Sequence, residues 1–134
     1  MTVKIVEIIN HVLRDVVSSG FEPPRIHDVD WYDDPRVLSV MIYSARDSTG
    51  RGISVLGELS RAGQLASVAD QIQEWVIEEN RATCSNWPQC PQHPNNHPLT
   101  PRVVSDQGVW TCPASNRPVA AIGELLTGST KPGL

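Results

Sequence analysis

The strongest constraint on the fold of this chain is a segment that combines proline with metal-ligating residues. All three cysteines and two of the four histidines lie between Cys84 and Cys112. Most of the 11 prolines follow residue 82, and proline interrupts a helix because it lacks an N–H donor and collides with the preceding turn. Thiolate and imidazole are ligands that zinc prefers. We therefore expect the second part of the chain to fold without helices, around a metal ion.

The spacing of these residues predicts two local structures. Cys90-Pro-Gln-His93 has the two-residue spacing of a zinc knuckle, a tight turn that holds two ligands. Farther along, residues 99–104 and 109–111 have strand composition, and residues 105–108 have the composition of a hairpin turn. This hairpin returns Cys112 towards the knuckle, so that a closed four-ligand site is predicted.

The predicted site is a structural zinc centre. Its ligands are Cys90, His93, His97 and Cys112, and the alternate ligand is Cys84, which would replace one of the histidines. An alternative interpretation stays open at this point. In it, the cysteines pack in an apolar cluster with Trp87 and Trp110, and the histidines are exposed loop residues.

A catalytic zinc site keeps an open coordination position and usually has a general base nearby. The only carboxylate between Cys84 and Cys112 is Asp106, which the predicted turn places at the far end of the hairpin. No Ser-His-Asp or Cys-His signature of a nucleophile is apparent. We therefore predict no catalytic residues and no cofactor other than structural zinc.

The first part of the chain has the periodicities of helices and strands. Apolar residues recur at three- and four-residue spacing after Thr2, the predicted N-cap, and Gly20 is predicted to end this helix. Strand-like segments follow, then a second amphipathic segment whose apolar face includes Trp75. The predicted elements are a helix over 3–17, strands over 25–31, 37–43 and 53–56, a turn over 47–52, and a helix over 62–81.

This order predicts an α+β fold, in which a three-stranded antiparallel sheet carries both helices on one face. The predicted domain organisation has three parts: an α-β-β-β-α unit over residues 1–82, a proline-rich zinc-binding β module over 83–126, and a flexible tail over 127–134.

The charge and composition exclude several classes of protein. A formal net charge of −4 and a pI of about 5.5 disfavour a nucleic-acid partner, which requires a basic surface. No apolar run approaches the roughly 18 residues of a membrane span, and the N-terminus has no signal-peptide pattern. We expect a cytoplasmic or virion location and a protein partner. The carboxylates Asp28, Asp30, Asp33 and Asp34 are predicted to be solvated; the alternative is that they bind a divalent ion or take part in acid–base chemistry together with His27. His11 is predicted to be a half-buried or surface histidine rather than a ligand.

The C-terminal segment resembles one found in small uncharacterised proteins of actinobacteria and their phages. The shared pattern is Trp87-Pro-Gln-Cys90-Pro-Gln-His93, then His97-Pro-Leu, then Trp110-Thr-Cys112-Pro. The resemblance covers residues 87–123 and implies a bound metal and a source, but no activity.

These observations predict a non-enzymatic interaction or structural module, stabilised by zinc, as part of a phage virion or its assembly. Trp31 or Trp87 would be the contact anchor for a protein partner. The alternative function is a small zinc-dependent hydrolase or a regulatory protein of a host or phage.

Overall fold

The structure is a computed structural model, and it describes residues 3–29, 31–93 and 96–125. The predicted positions Thr2, Asp30 and 127–134 lie outside the described residues. The elements are α1 (Val3–Ser18), β1 (Arg25–His27), β2 (Val37–Tyr43), β3 (Gly50–Leu56), α2 (Arg61–Glu79), β4 (Thr100–Val104), β5 (Gln107–Thr111) and β6 (Pro118–Ala121).

The strands form two antiparallel sheets of three strands, in the orders β1-β2-β3 and β4-β5-β6. The predicted α+β class is confirmed, with a helix, a three-stranded antiparallel sheet and a helix followed by a small β unit. In the described residues, no helix has both the length and the apolar composition that crossing a membrane requires.

Helix α1 forms because its apolar residues make one continuous stripe, as the periodicity predicted. The buried side chains of this stripe are Ile5, Ile8, Ile9, Val12, Leu13 and Val16. The helix ends in a Schellman motif, in which Phe21 N–H donates to the Val16 carbonyl and Gly20 N–H donates to that of Val17. Gly20 has a φ of 93°, which glycine adopts without steric cost. The predicted role of this glycine is thus confirmed.

The first sheet differs from the prediction at both of its edges. Strand β1 ends at His27 rather than at residue 31, and the indole N–H of Trp31 donates to the Val40 carbonyl of β2 at 2.8 Å. The Trp31 side chain therefore makes a hydrogen bond to β2 beyond the point where β1 ends. Strand β3 begins at Gly50, so that Gly50 and Gly52 pair with β2 instead of lying in the predicted turn. A Cβ atom at Gly52 would lie 2.5 Å from the Trp31 ring.

Helix α2 packs one face into the core and uses two glutamines to bind neighbouring backbone. The Ser60 hydroxyl caps its N-terminus by accepting the Gly63 N–H, and Trp75 is buried as predicted. The Gln71 side chain accepts from the Ser54 N–H and donates to the Ser54 carbonyl of β3, as a neighbouring strand would. Gln73 is buried and lies beside the C-terminal half of the chain.

The second sheet contains a tighter hairpin and one more strand than predicted. Ser105 and Asp106 alone make the turn between β4 and β5, with φ values of 51° and 64° that match a type I′ turn. The prediction of a four-residue turn was therefore wrong. Strand β6 was missed, because it is short, starts at Pro118 and pairs with β5 through an irregular register at Trp110/Thr111.

A single apolar cluster spans both halves of the chain. It includes the buried faces of α1 and α2, the inner residues of β2 and β3, and residues of the second half such as Leu99, Trp110 and Ile122. Helix α2 contacts β4 and β5 as well as β3. The second half thus packs directly on the helices rather than on a core of its own.

The carboxylate of Asp15 lies inside this interface and is fully buried. Its Oδ2 accepts from the Trp110 indole N–H at 2.8 Å and from the Gly123 N–H at 2.7 Å, and its Oδ1 accepts from the Leu125 N–H at 2.9 Å. Burial raises the pKa of Asp15 above its ordinary value of 3.8, and the three donors act in the opposite direction. This carboxylate therefore joins α1 to the C-terminal sheet.

We expect Asp15→Ala to lower the free energy of unfolding by about 3 kcal/mol or more, because each buried donor left without an acceptor costs about 1–3 kcal/mol. Urea denaturation at neutral pH measures the change. Glu7→Ala, an exposed carboxylate on the same helix, is the matched control and should change stability by less than about 0.5 kcal/mol. Equal effects of the two substitutions would contradict the role of the buried carboxylate.

The raised pKa of Asp15 also predicts a pH dependence. The folded state holds this proton more tightly than the unfolded state. The part of the Asp15 contribution to stability that depends on the proton is therefore complete below the ordinary value of 3.8 and is lost as pH rises through the folded pKa, whereas the three hydrogen bonds to the carboxylate remain. The stability difference between wild type and Asp15→Ala should therefore narrow with rising pH. Denaturation curves at a series of pH values measure it, and a difference that widens with pH would contradict the prediction.

Candidate metal centre

The four residues predicted as ligands meet at one point of the second half. The ligand atoms of Cys90, His93, His97 and Cys112 all lie within 4.8 Å of one another. Both cysteines are fully buried, whereas the two histidines are half-buried. Among the described residues, no carboxylate belongs to this group. The structure therefore contains a Cys2His2 arrangement that could hold a metal ion.

Two distances within the group match the edges of a coordination tetrahedron. His93 Nδ1 lies 3.5 Å from Cys90 Sγ and 3.6 Å from Cys112 Sγ. With metal–sulfur and metal–nitrogen bonds of about 2.3 and 2.0–2.1 Å, a tetrahedral site has a sulfur–nitrogen edge of about 3.6 Å. Both sulfur–nitrogen distances are thus compatible with one ion bound to these three atoms.

His97 offers the fourth position through a nitrogen that no described residue satisfies. Its Nδ1 lies 3.3 Å from the Pro98 carbonyl oxygen, and since a carbonyl only accepts, Nδ1 carries the proton. Its Nε2 then bears a lone pair, is buried, and has no hydrogen-bond partner among the described residues. A buried polar atom without a partner is costly, and a metal ion would satisfy it.

The first pair of ligands is held by the turn that the sequence predicted. The His93 N–H donates to the Cys90 carbonyl at 3.1 Å, which closes the turn. The two chain segments that flank it are joined where the Leu99 N–H donates to the Pro88 carbonyl at 2.7 Å. The Gln73 amide of α2 donates to the carbonyls of Trp87 and Leu99, at 3.1 and 2.6 Å. The base of the loop from Trp87 to Leu99 is thereby fixed to the core.

Cys112 begins a second turn that the sequence analysis missed. Hydrogen bonding from the Ser115 hydroxyl, from the backbone N–H groups of Ser115 and Ala114 and from the Cys90 thiol lowers the pKa of Cys112 to about 6, with the Ser115 hydroxyl the largest cause and burial opposing it. The Asn116 N–H closes the turn on the Cys112 carbonyl at 2.6 Å. Donors to sulfur favour the thiolate, which is the form that binds metal.

The signal for this second turn was present in the sequence. Cys112-Pro113 repeats Cys90-Pro91, and Ser115 follows Cys112 at the same distance at which His93 follows Cys90. The prediction used only the return of the β4–β5 hairpin to place Cys112. The structure shows that a local turn, and not the hairpin alone, directs donors to this sulfur.

Cys84, the predicted alternate ligand, lies outside the four-residue group. It is half-buried and lines a groove of about 700 Å³ together with Phe21 and Trp87. The apolar cluster of the alternative interpretation is also present, because Trp87 and Trp110 are in edge-to-face contact with centroids 5.6 Å apart in the same core as Cys90. The apolar packing and the convergence of ligands therefore coexist.

Comparison of the chain with models of known protein families, with curated proteins and with solved structures gives no match. The chemistry of the centre is therefore argued from its own geometry.

We expect His97→Ala to lower the affinity for a divalent metal by more than about 100-fold, since removing an outer-shell partner alone costs 10–100-fold. Titration with Co²⁺, followed by competition with Zn²⁺, measures the change. The matched control is His27→Ala, at an exposed position of β1. Equal affinities of the two variants would exclude His97 Nε2 as a ligand.

Proposed function

We propose that this protein is a non-enzymatic interaction module whose second half folds around a structural zinc ion. The observation that carries the proposal is the convergence of two thiols and two imidazoles, with the otherwise unsatisfied Nε2 of His97 among them. Two nitrogen and two sulfur donors at tetrahedral spacing suit zinc better than magnesium or calcium, which take oxygen ligands.

A structural role is favoured because four protein donors would fill a tetrahedral coordination shell. A hydrolytic zinc site needs a position for water and a nearby general base. Among the described residues, the group includes no carboxylate, and its two sulfurs are fully buried. These features support a closed centre over the alternative of a zinc-dependent hydrolase.

The second sheet is small, and a structural metal ion would therefore contribute to its stability. Strands β4, β5 and β6 have only 5, 5 and 4 residues, and proline occupies positions in two of them. A unit of this kind has little core of its own, and a structural metal contributes directly to folding free energy. Zinc would also hold the loop from Trp87 to Leu99 against α2.

An interaction role is supported by the exposure of one of the two candidate anchors. Trp87 is buried in the core, whereas Trp31 is 43% exposed at the surface of the first sheet. Exposed tryptophans are frequent energetic centres of protein interfaces. Trp31 is therefore the anchor we propose, for a protein partner rather than for nucleic acid or membrane.

The biological setting that we propose is a phage virion or its assembly in the bacterial cytoplasm. Support for it comes from the resemblance of residues 87–123 to small proteins of actinobacteria and their phages. Genes for capsid, tail or packaging proteins beside the gene for this chain would support the setting, and a neighbourhood of metabolic genes would contradict it.

We expect the purified protein to bind one equivalent of zinc, and Cys90→Ser or Cys112→Ser to abolish this binding and lower the melting temperature strongly. The reason is that a structural ion contributes folding free energy of about 10 kcal/mol in the most dependent small domains. Metal analysis and thermal denaturation, with and without a chelator, measure both effects.

Cys84→Ser is the matched control, because this thiol lies outside the group. It should retain the zinc and melt close to wild type. Loss of zinc from Cys84→Ser, or unchanged melting of Cys90→Ser and Cys112→Ser, would contradict the proposed centre. Loss of zinc with an unchanged fold would favour a catalytic site instead.

A further inference from the structure

Two exposed aromatic rings lie side by side just beyond the end of β1. Trp31 and Tyr32 are 43% and 44% exposed, and their rings make an edge-to-face contact with centroids 5.4 Å apart. We propose that this aromatic face, formed by Trp31 and Tyr32, binds a basic segment of a partner protein. The inference specifies the partner chemistry of the interaction module and rests on that proposed function.

The Trp31 ring and the backbone of Tyr32 are held in place before any partner arrives. The Trp31 indole N–H donates to the Val40 carbonyl at 2.8 Å, and its ring lies directly on Gly52. The backbone N–H of Tyr32 donates to the Ser39 hydroxyl at 3.2 Å. A ring that is fixed by the fold and still half exposed loses little conformational entropy on binding, which favours an anchor role.

The face lies on the side of the sheet that the helices leave uncovered. Ile53 and Val55 of β3 are buried in the helix-facing core, and side chains alternate along a strand, so that Gly52 belongs to the opposite face. Trp31 covers Gly52 on that face. A partner therefore has access to the aromatic face without displacing α1 or α2.

The charge around the rings specifies the chemistry of the partner. Asp28 and Asp33 flank the two aromatic residues in the sequence, and both are exposed. The two arginines of the same stretch are engaged elsewhere, since Arg36 pairs with Asp34 at 3.0 Å and Arg25 donates to the Ser48 hydroxyl at 3.3 Å. In the part of the chain that the structure describes, no ion pair neutralises Asp28 or Asp33.

Aromatic faces and unbalanced carboxylates both attract cations. Lysine and arginine bind over tryptophan and tyrosine rings through cation–π contacts, and the flanking carboxylates would pair with further basic residues. The same carboxylates repel phosphate, which disfavours a nucleic-acid partner. A basic segment with apolar residues between its charges matches both features of the face.

The test uses the zinc-loaded full chain and a synthetic peptide of alternating arginine and leucine, with the corresponding glutamate–leucine peptide as a reference. Calorimetry and Trp fluorescence measure binding. We expect the basic peptide to bind with an affinity that falls as salt is raised, and the acidic peptide not to bind. Asp28→Lys/Asp33→Lys and, separately, Tyr32→Ala should each weaken binding by about tenfold or more.

The matched control is Glu7→Lys/Asp70→Lys, which makes the same change in net charge at exposed positions of α1 and α2. If the control variant binds the basic peptide as tightly as wild type does, the proposal is supported. If both double variants lose the same amount of affinity, or if the basic peptide does not bind to wild type at all, the proposal is overturned. A concentration-dependent dimer that Tyr32→Ala dissociates would also overturn it, because the occupant would then be a second copy. Each variant should keep one equivalent of zinc, so that these outcomes are distinct from failure of the metal centre.

Discussion

The buried carboxylate of Asp15 is the interaction that joins the two halves of this protein. It projects from α1 into an apolar interface and accepts hydrogen bonds from the indole of Trp110 and from the backbone after β6. Burial makes the charged form costly, and the three donors offset part of that cost. The position of the second sheet on the helices is therefore held by a polar contact as well as by apolar packing.

The metal centre depends on how the second sheet packs on the helices, because the segments that carry its ligands are fixed to the same core. Trp110 bonds Asp15 through its indole N–H and packs against Trp87, which lies three residues before Cys90. Gln73 holds the base of the loop from α2. Two short turns carry Cys90, His93 and Cys112, and these residues converge with His97 at one point, where an ion would join the segments to each other. The aromatic face lies on a different sheet, away from this centre.

Much of the fold follows from local patterns in the sequence. The stripe of α1 and the glycine at its end, the bounds of β2 and the buried face of α2 were predicted because each depends on periodicity or on one residue's conformational preference. The four residues of the metal centre were also predicted, from ligand chemistry and the spacing of Cys90 and His93. The β6 strand was missed, because a four-residue strand that begins with Pro118 has no periodicity to detect.

The sequence by itself determined which residues are suited to bind metal, where the two helices and most of the strands lie, and that the class is α+β. Only the tertiary structure decided that Trp31 replaces the end of β1, that Gly52 lies beneath its ring, and that Asp15 accepts from residues about 100 positions away. It also decided which tryptophan is exposed. The physical reason is that these features depend on contacts between distant segments, whose partners no local period or composition specifies.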